Sequence, residues 1–358
     1  MSPAILPSSR AEPGPELEVR ESVAGAQWDA YVEGRPDASA YHHRGWLDLI
    51  GRAFGHEVRP LTCLSGDRIT GVLPIVVMRS RLFGTFAVSL PFLNAGGVLA
   101  DDERSAGALL DAGIRIARQR RADYLELRHI TRRFSSLTER RHRVAMTLGL
   151  LDSTERQWLA LDRKIRNQVR KAEKSSLVAK DGGIELVPDF YEVFSRNMRD
   201  LGTPVFGRAL FEEVLRTFPD NSRVICVYRG EQPVAASIVH GRQGWMEVPW
   251  ASTLREFNTM AANMFLYWQM LRVAIGQGCS RFEFGRCAPD EGTYQFKKQW
   301  GAEPSPLVWE YWIGGGKPAK FDLHSDDSSY GRAAALWRRL PLTVSKALGP
   351  RIVRGIPC

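Results

Sequence analysis

The sequence predicts an α+β protein: a mixed β-sheet flanked by helices, laid out twice along the chain and followed by a helical extension. Three observations predict it. Strand-length segments follow one another directly, joined by two- or three-residue turns such as Gly66-Asp67 and Gly230-Glu231-Gln232, where a doubly wound fold would alternate strand and helix. The long amphipathic segments, with apolar residues at a 3.6-residue period, fall at equivalent places in the two halves. Finally, no G-x-G-x-x-G, Walker loop or G-x-S-x-G elbow occurs, which argues against a nicotinamide dehydrogenase, a P-loop enzyme and a serine hydrolase.

Residues 1–15 are rich in Pro, Ser and Gly and are expected to form a flexible tail. An N-terminal domain is expected over 16–150: strand 17–20, helices near Trp28–Glu33 and Arg44–Ala53, strand 57–64, the β-branched strand Ile69–Met78, strand Phe86–Leu90, helix 103–121 and strand Tyr124–Leu127. A second domain, 151–313, opens with one long helix from Thr154 to Ser175, its apolar stripe made of Trp158, Leu161, Ile165, Val169 and Ala172. Helices near 189–201 and 208–217 follow, then strands 223–229, 233–240 and 245–250, helix 259–277, strand 281–285, a short helix near 291–299 and strand 307–312. Gly314-Gly315-Gly316 breaks the pattern, and residues 314–358 form a glycine linker and a basic extension with a helix from about Tyr330 that Pro341 breaks or restarts.

The 358 residues are 44% hydrophobic, enough for a sizeable core and too many for a disordered chain. Lys and Arg outnumber Asp and Glu by 49 to 40, a net charge of +9 that favours an anionic partner without choosing among phosphate, nucleic acid and membrane. The five cysteines have no C-x-x-C spacing and the seven histidines no H-E-x-x-H spacing, so neither a disulfide framework nor a metal site is expected. With no apolar run of spanning length and no basic-apolar leader, the expected location is the cytoplasm, with peripheral contact to an anionic inner membrane as a further expectation.

Ordered segments narrow the fold. Asn197–Arg208, Asn263–Trp268 and the Tyr294–Ala302 run (Tyr-Gln-Phe-Lys-Lys-Gln-Trp-Gly-Ala), together with Leu90–Leu99, Arg166–Lys174 and Val248–Ser252, resemble the FemAB-type aminoacyl transferases of the GNAT superfamily, in particular the FemAB-related branch found with bacterial exosortase (PEP-CTERM) and exopolysaccharide loci. The resemblance spans roughly residues 40–312 and implies tandem GNAT-like domains. It also implies transfer of an amino acid from aminoacyl-tRNA to a phosphate-bearing cell-envelope or exopolysaccharide precursor, sugar or lipid-linked. By matching motif position it implies that Arg208 meets the acceptor's phosphates and Lys297 stabilises charge. Lys298, Asn263, Trp250 and Arg286, in or beside the same segments, are further substrate-binding candidates.

The sequence departs from a CoA-binding GNAT where a Gly-rich loop should cradle the pyrophosphate: residues 251–263 contain no glycine. Aminoacyl-tRNA is therefore favoured over acyl-CoA as donor, with no tightly bound cofactor and no DNA partner expected. An acyl-CoA-dependent N- or O-acyltransferase and a non-catalytic binding module in polysaccharide assembly stay open as alternatives.

Acyl transfer needs a proton acceptor beside the reacting carbonyl. Glu247, in Trp-Met-Glu-Val-Pro-Trp, is a carboxylate among large apolar groups, and Pro249 cannot donate to a ladder, so the strand should open there. The alternative is a solvent-facing Glu on an edge strand. Tyr294, after a loop leaving a strand, is the second catalytic candidate, with packing beside a short helix as its other reading. Arg163, Arg166, Arg170 and Lys174 share one helix stripe, a patch suited to a tRNA backbone or an anionic lipid face, or simply a solvated side. The extension mixes Leu336, Trp337, Leu340, Leu342, Val344, Leu348, Ile352 and Val353 with Arg332, Arg338, Arg339, Lys346, Arg351 and Arg354, as an interfacial helix or an intramolecularly docked one would.

Overall fold

The computed structural model describes residues 16–80, 83–314 and 328–356. The expected tail and most of the glycine linker lie outside these residues. The first half comprises β1 (Leu17–Arg20), α1 (Gly25–Glu33), α2 (Arg44–Phe54), β2 (Glu57–Ser65), β3 (Arg68–Ser80), β4 (Gly84–Val88), β5 (Leu99–Ala100), α3 (Glu103–Gln119), β6 (Tyr124–His129) and β7 (Thr138–Gly149). In the second half are α4 (Thr154–Ala160), α5 (Arg163–Lys174), β8 (Leu177–Gly182), α6 (Val187–Leu201), α7 (Arg208–Thr217), β9 (Ser222–Arg229), β10 (Gln232–Arg242), β11 (Trp245–Thr253), α8 (Ala262–Gly276), β12 (Arg281–Cys287), α9 (Gly292–Lys298) and β13 (Glu303–Ile313). Helices α10 (Ser328–Trp337) and α11 (Leu342–Val353) follow, and Pro341, extended at ψ 143°, stands at the start of the second.

One sheet runs through both halves in the order β1-β2-β3-β4-β6-β13-β7-β12-β11-β10-β9-β8, with β5 against β3. The halves exchange strands: β13, late in the second half, lies between β6 and β7 of the first, and β7 pairs β12. Helix α3 buries Leu109, Leu110, Ile116 and Ala117 against the first half's strands, while α6, α7 and α8 close over the second. At about 25 cal/mol per Å² of apolar area, such burial is the main stabilising term.

Two expectations need correcting. The single helix over 154–175 is two helices, because Leu161 is extended (ψ 145°) and Asp162 caps α5, accepting from the Lys164 amide at 2.6 Å. Strands β7 and β8 were not expected from the sequence. β7 begins Thr-Glu-Arg-Arg-His-Arg, a charged run without strand alternation, and is held by partners far away in sequence. The three-strand meander, its turns and the helix α8 fall where expected.

Candidate active site

Strands β11 and β12 run parallel for only three rungs, Trp245 with Arg281, Met246 with Phe282 and Glu247 with Glu283, and then separate. Two residues contribute to the opening. Pro249 offers no N–H, and Gly285 takes φ 73°, bulging β12 against β7 between Glu283 and Arg286. The gap between the strands is a cavity of about 310 Å³. Glu247, Pro249, Tyr267, Arg286 and Lys297 of the second half line it, with Tyr41, Phe92, Leu93 and Asn94 of the first.

Glu247 and Glu283 are neighbours on the last rung before the split. Asn94 Nδ2 donates to Glu247 Oε1 at 2.6 Å and reaches Glu283 Oε1 at 3.4 Å. Burial, then the like charge of Glu283, holds the Glu247 carboxyl well above the usual carboxylate range. Burial likewise raises Glu283 to about 7. Both carboxyls are thus held above the ordinary carboxylate range, so the pair can keep a proton that a solvated carboxylate has lost, and can give or take one. The buried Tyr41 hydroxyl faces Glu247 without a hydrogen bond of normal geometry.

Lys297 is buried on α9 and donates from Nζ to the carbonyls of Gly285 (2.9 Å) and Arg286 (2.8 Å). It thereby ties down the β12 bulge, and its charge faces Cys287, Glu283 and Glu247; burial lowers its pKa. Arg286 lies 5.4 Å from the centre of the Trp309 ring, and Arg128, on the same ring, 4.1 Å.

The loop that delivers Asn94 is held in an unusual conformation. Leu90 (φ 55°) and Phe92 (φ 74°) are left-handed, a strain that persists only where the surroundings fix it. Here they do: buried Arg128 pairs with Glu126 at 2.6 Å and donates to the Leu93 carbonyl at 2.6 Å. The amides of Gly96 and Gly97 both donate to the Arg128 carbonyl. His129 accepts from the Val98 amide at 2.9 Å and is paired through its other nitrogen with buried Glu310 at 2.6 Å. A Cβ on Gly97 would stand 2.2 Å from His129 Cδ2, so only glycine passes there.

Of the residues singled out from sequence, the structure brings Glu247, Lys297 and Arg286 together around this cavity. Tyr294 packs, half-buried, against the core, and its neighbour Thr293 lines the cavity instead. Trp250 is buried with its ring 5.3 Å from Phe211. Asn263 accepts from Thr253 Oγ1 at 3.2 Å at the start of α8, and Lys298 is exposed on α9. Arg208 stands exposed in the first turn of α7, paired with Glu212 at 2.7 Å. Arg163, Arg170 and Lys174 form an exposed side of α5, Arg166 is half-buried among them, and Arg170 lies over Trp158. Sequence reasoning did not reach Glu283, Asn94 and Tyr41. Glu283 carries the signal that marked Glu247, an acid between aromatic residues in a strand; Asn94 lies in the Leu90–Leu99 segment of the resemblance with nothing there to single it out, and Tyr41 carries no signal, since only the fold brings them here.

Residues 161–298 match the acetyltransferase (GNAT) domain family. No curated protein sequence matches the chain. Among solved structures, FemX is similar over 82% of this chain and 96% of its own, with a TM-score of 0.63 at 14% identity. L-PGS from Bacillus licheniformis is similar over 88% and 97% (TM-score 0.54, 11% identity), and a tandem GNAT protein from the clavulanic acid biosynthesis pathway over 85% and 100% (0.52, 14%). The fold is GNAT-like, and its neighbours include tandem GNAT proteins. The segment 161–298 is thus acetyltransferase-like, and the likeness to the solved structures extends over the fold of the whole chain.

Proposed function

We propose that the chain is an aminoacyl or acyl transferase that modifies a primary amine on a phosphate-bearing cell-envelope or exopolysaccharide precursor. The observation that carries this reading is the Glu247–Glu283 pair, bridged by Asn94, at the split between β11 and β12. An amine suits this cavity because a carboxylate pair attracts and orients an ammonium group, which gives up its extra proton to solvent and becomes the free amine that attacks. In the step proposed, the carboxylate pair removes a proton from the acceptor nitrogen as it attacks the donor's ester carbonyl carbon. The C–N bond forms, the C–O bond breaks, and the pair returns the proton to the leaving oxygen. The pair thus ends as it began. Lys297 fixes the bulge that shapes the opposite wall, and the Asn94 loop fixes the carboxylates.

Aminoacyl-tRNA is the favoured donor, with the cationic side of α5 as the surface for its backbone. The glycine-free 251–263 connection, the FemAB resemblance and the likeness in fold to FemX support that choice. The acetyltransferase-domain match over 161–298 favours a second reading, with an acyl-CoA donor. A thermal-shift panel of CoA thioesters, aminoacyl-tRNA mimics and nucleotide sugars separates the two, because a ligand that binds only the folded chain raises its melting temperature. A shift with acetyl-CoA alone overturns the aminoacyl donor. For the chemistry itself, Glu247→Gln should cut turnover by about 10²-fold or more while leaving substrate binding near normal. Unchanged turnover would remove Glu247 from the mechanism.

A further inference from the structure

We propose that the two C-terminal helices form a docking surface for an anionic membrane leaflet. Helix α11 turns Ser345, Gly349 and Val353, spaced i, i+4, i+8, toward the body of the protein. The approach is close: a Cβ on Gly349 would lie 2.8 Å from the Val205 backbone. Two of its apolar side chains stand outside, Val344 36% and Leu348 40% exposed, while Leu342 and Ile352 are half-buried. On α10, Ala334 packs on Gly202 while Leu336 is 66% exposed. Leu201, whose carbonyl accepts from Arg338, adds another apolar side chain at 45%. A helix that merely covers its own domain buries its large apolar residues; here Trp337, Leu340, Leu342 and Ile352 are half-buried, and Leu336, Val344 and Leu348 are left outside.

Charge selects the occupant. Residues 328–356 contain Arg332, Arg338, Arg339, Lys346, Arg351 and Arg354 and no Asp or Glu. All but Lys346, which lies over the Tyr191 ring, are exposed. Leucine and valine set among arginines, with no acid between them, match an interface of acyl chains below anionic headgroups. A second copy of this chain would bring the same cations against one another. Among the described residues no helix is long and apolar enough to cross a membrane, so the contact is peripheral.

The full chain is tested by co-sedimentation with vesicles of phosphatidylcholine alone and of phosphatidylcholine with phosphatidylglycerol, at low and high salt. Binding is expected only with the anionic vesicles, falling steeply as salt screens the arginines. The triple variant Leu336→Asp/Val344→Asp/Leu348→Asp changes exposed positions and should keep the wild-type melting curve while losing roughly tenfold or more in vesicle partition. A second variant, Arg338→Gln/Arg339→Gln/Arg351→Gln, should lose partition and its salt dependence together. Failure of the wild type to sediment with anionic vesicles at low salt overturns the proposal. So does equal sedimentation of the folded triple variant, or a concentration-dependent dimer that the triple variant abolishes.

Discussion

Replacing Glu283 by Gln removes one charge from the carboxylate pair while keeping its shape and an oxygen that can accept from Asn94. Burial raises the Glu283 carboxyl from its ordinary value, 4.5, to about 7. At about 1.36 kcal/mol per pH unit, that interval corresponds to about 3 kcal/mol. Solvent in the cavity screens the pair, so roughly 1–2 kcal/mol is a fairer size. The sign follows from proton linkage. A carboxyl with a folded-state pKa above its unfolded one holds a proton that the unfolded chain has released, so between about pH 4.5 and 7 stability falls as pH rises. Above pH 7 the full cost of the buried charge is present. The Gln variant escapes that cost, and should melt a few degrees above the wild type at about pH 8 and with it at about pH 4.5.

The same substitution has a kinetic signature. Without the Glu283 charge beside it, Glu247 ionises more easily, and the acid limb of the kcat/KM profile should move to lower pH. Stability gained and the pH profile displaced together identify Glu283 as a residue that tunes Glu247. Differential scanning calorimetry across pH, and transfer of a labelled acyl or aminoacyl group across the same range, measure the two effects. A variant less stable than the wild type at pH 8, or an acid limb that stays where it was, would refute the coupled pair.

Other perturbations probe the supports of the site. Asn94→Ala removes the donor that bridges the two carboxylates and should lower kcat by about tenfold or more; because a buried hydrogen bond to a charged group is worth about 1.5–3 kcal/mol, its melting temperature should fall by several degrees as well, and an unchanged kcat would exclude the bridge from function. Lys297→Met leaves the Gly285 and Arg286 carbonyls without their ammonium partner, at a cost of about 1–3 kcal/mol in stability, and moves the acid limb upward by removing a positive charge near the pair. A melting temperature within error of the wild type would show that the bulge holds without it. Gly97→Ala drives a methyl group into His129 and should displace the loop that carries Asn94, losing activity and roughly 2 kcal/mol or more of stability; full activity would show that the strained loop is not what positions Asn94.

How far the sequence could reach follows from the range of each interaction. The strand meanders, α3, α8 and the Pro341 break rest on local periodicity and turn chemistry, so they are legible in the chain. The break at Leu161 was legible too, in Asp162 as an N-cap, but the continuous apolar stripe across 158–172 concealed it. Strand β7 was not legible, because its charged sequence becomes a strand only through pairing with β12 and β13, more than 130 residues away. The same exchange of strands explains the site. Glu247 stands out as an acid among aromatic residues, and Pro249 beside it marks the opening, whereas its partners arrive by the fold.

That exchange also answers why a cavity in the second half depends on the first. β13 carries Trp309 to a position where its indole donates to the Asn94 carbonyl at 3.4 Å, and where Arg128 and Arg286 both meet its ring. One β13 side chain thus touches the loop that supplies Asn94, the buried ion pair that holds that loop, and an arginine of the cavity wall. Glu310, the next residue, holds His129 and receives the Arg133 and Phe134 amides. A loop strained at Leu90 and Phe92 cannot keep its shape on local interactions, so the strand from the other half supplies the restraint. The two halves are therefore coupled at the point where the carboxylates meet the cavity, and separating them should cost the geometry of the site before it costs either half its helices.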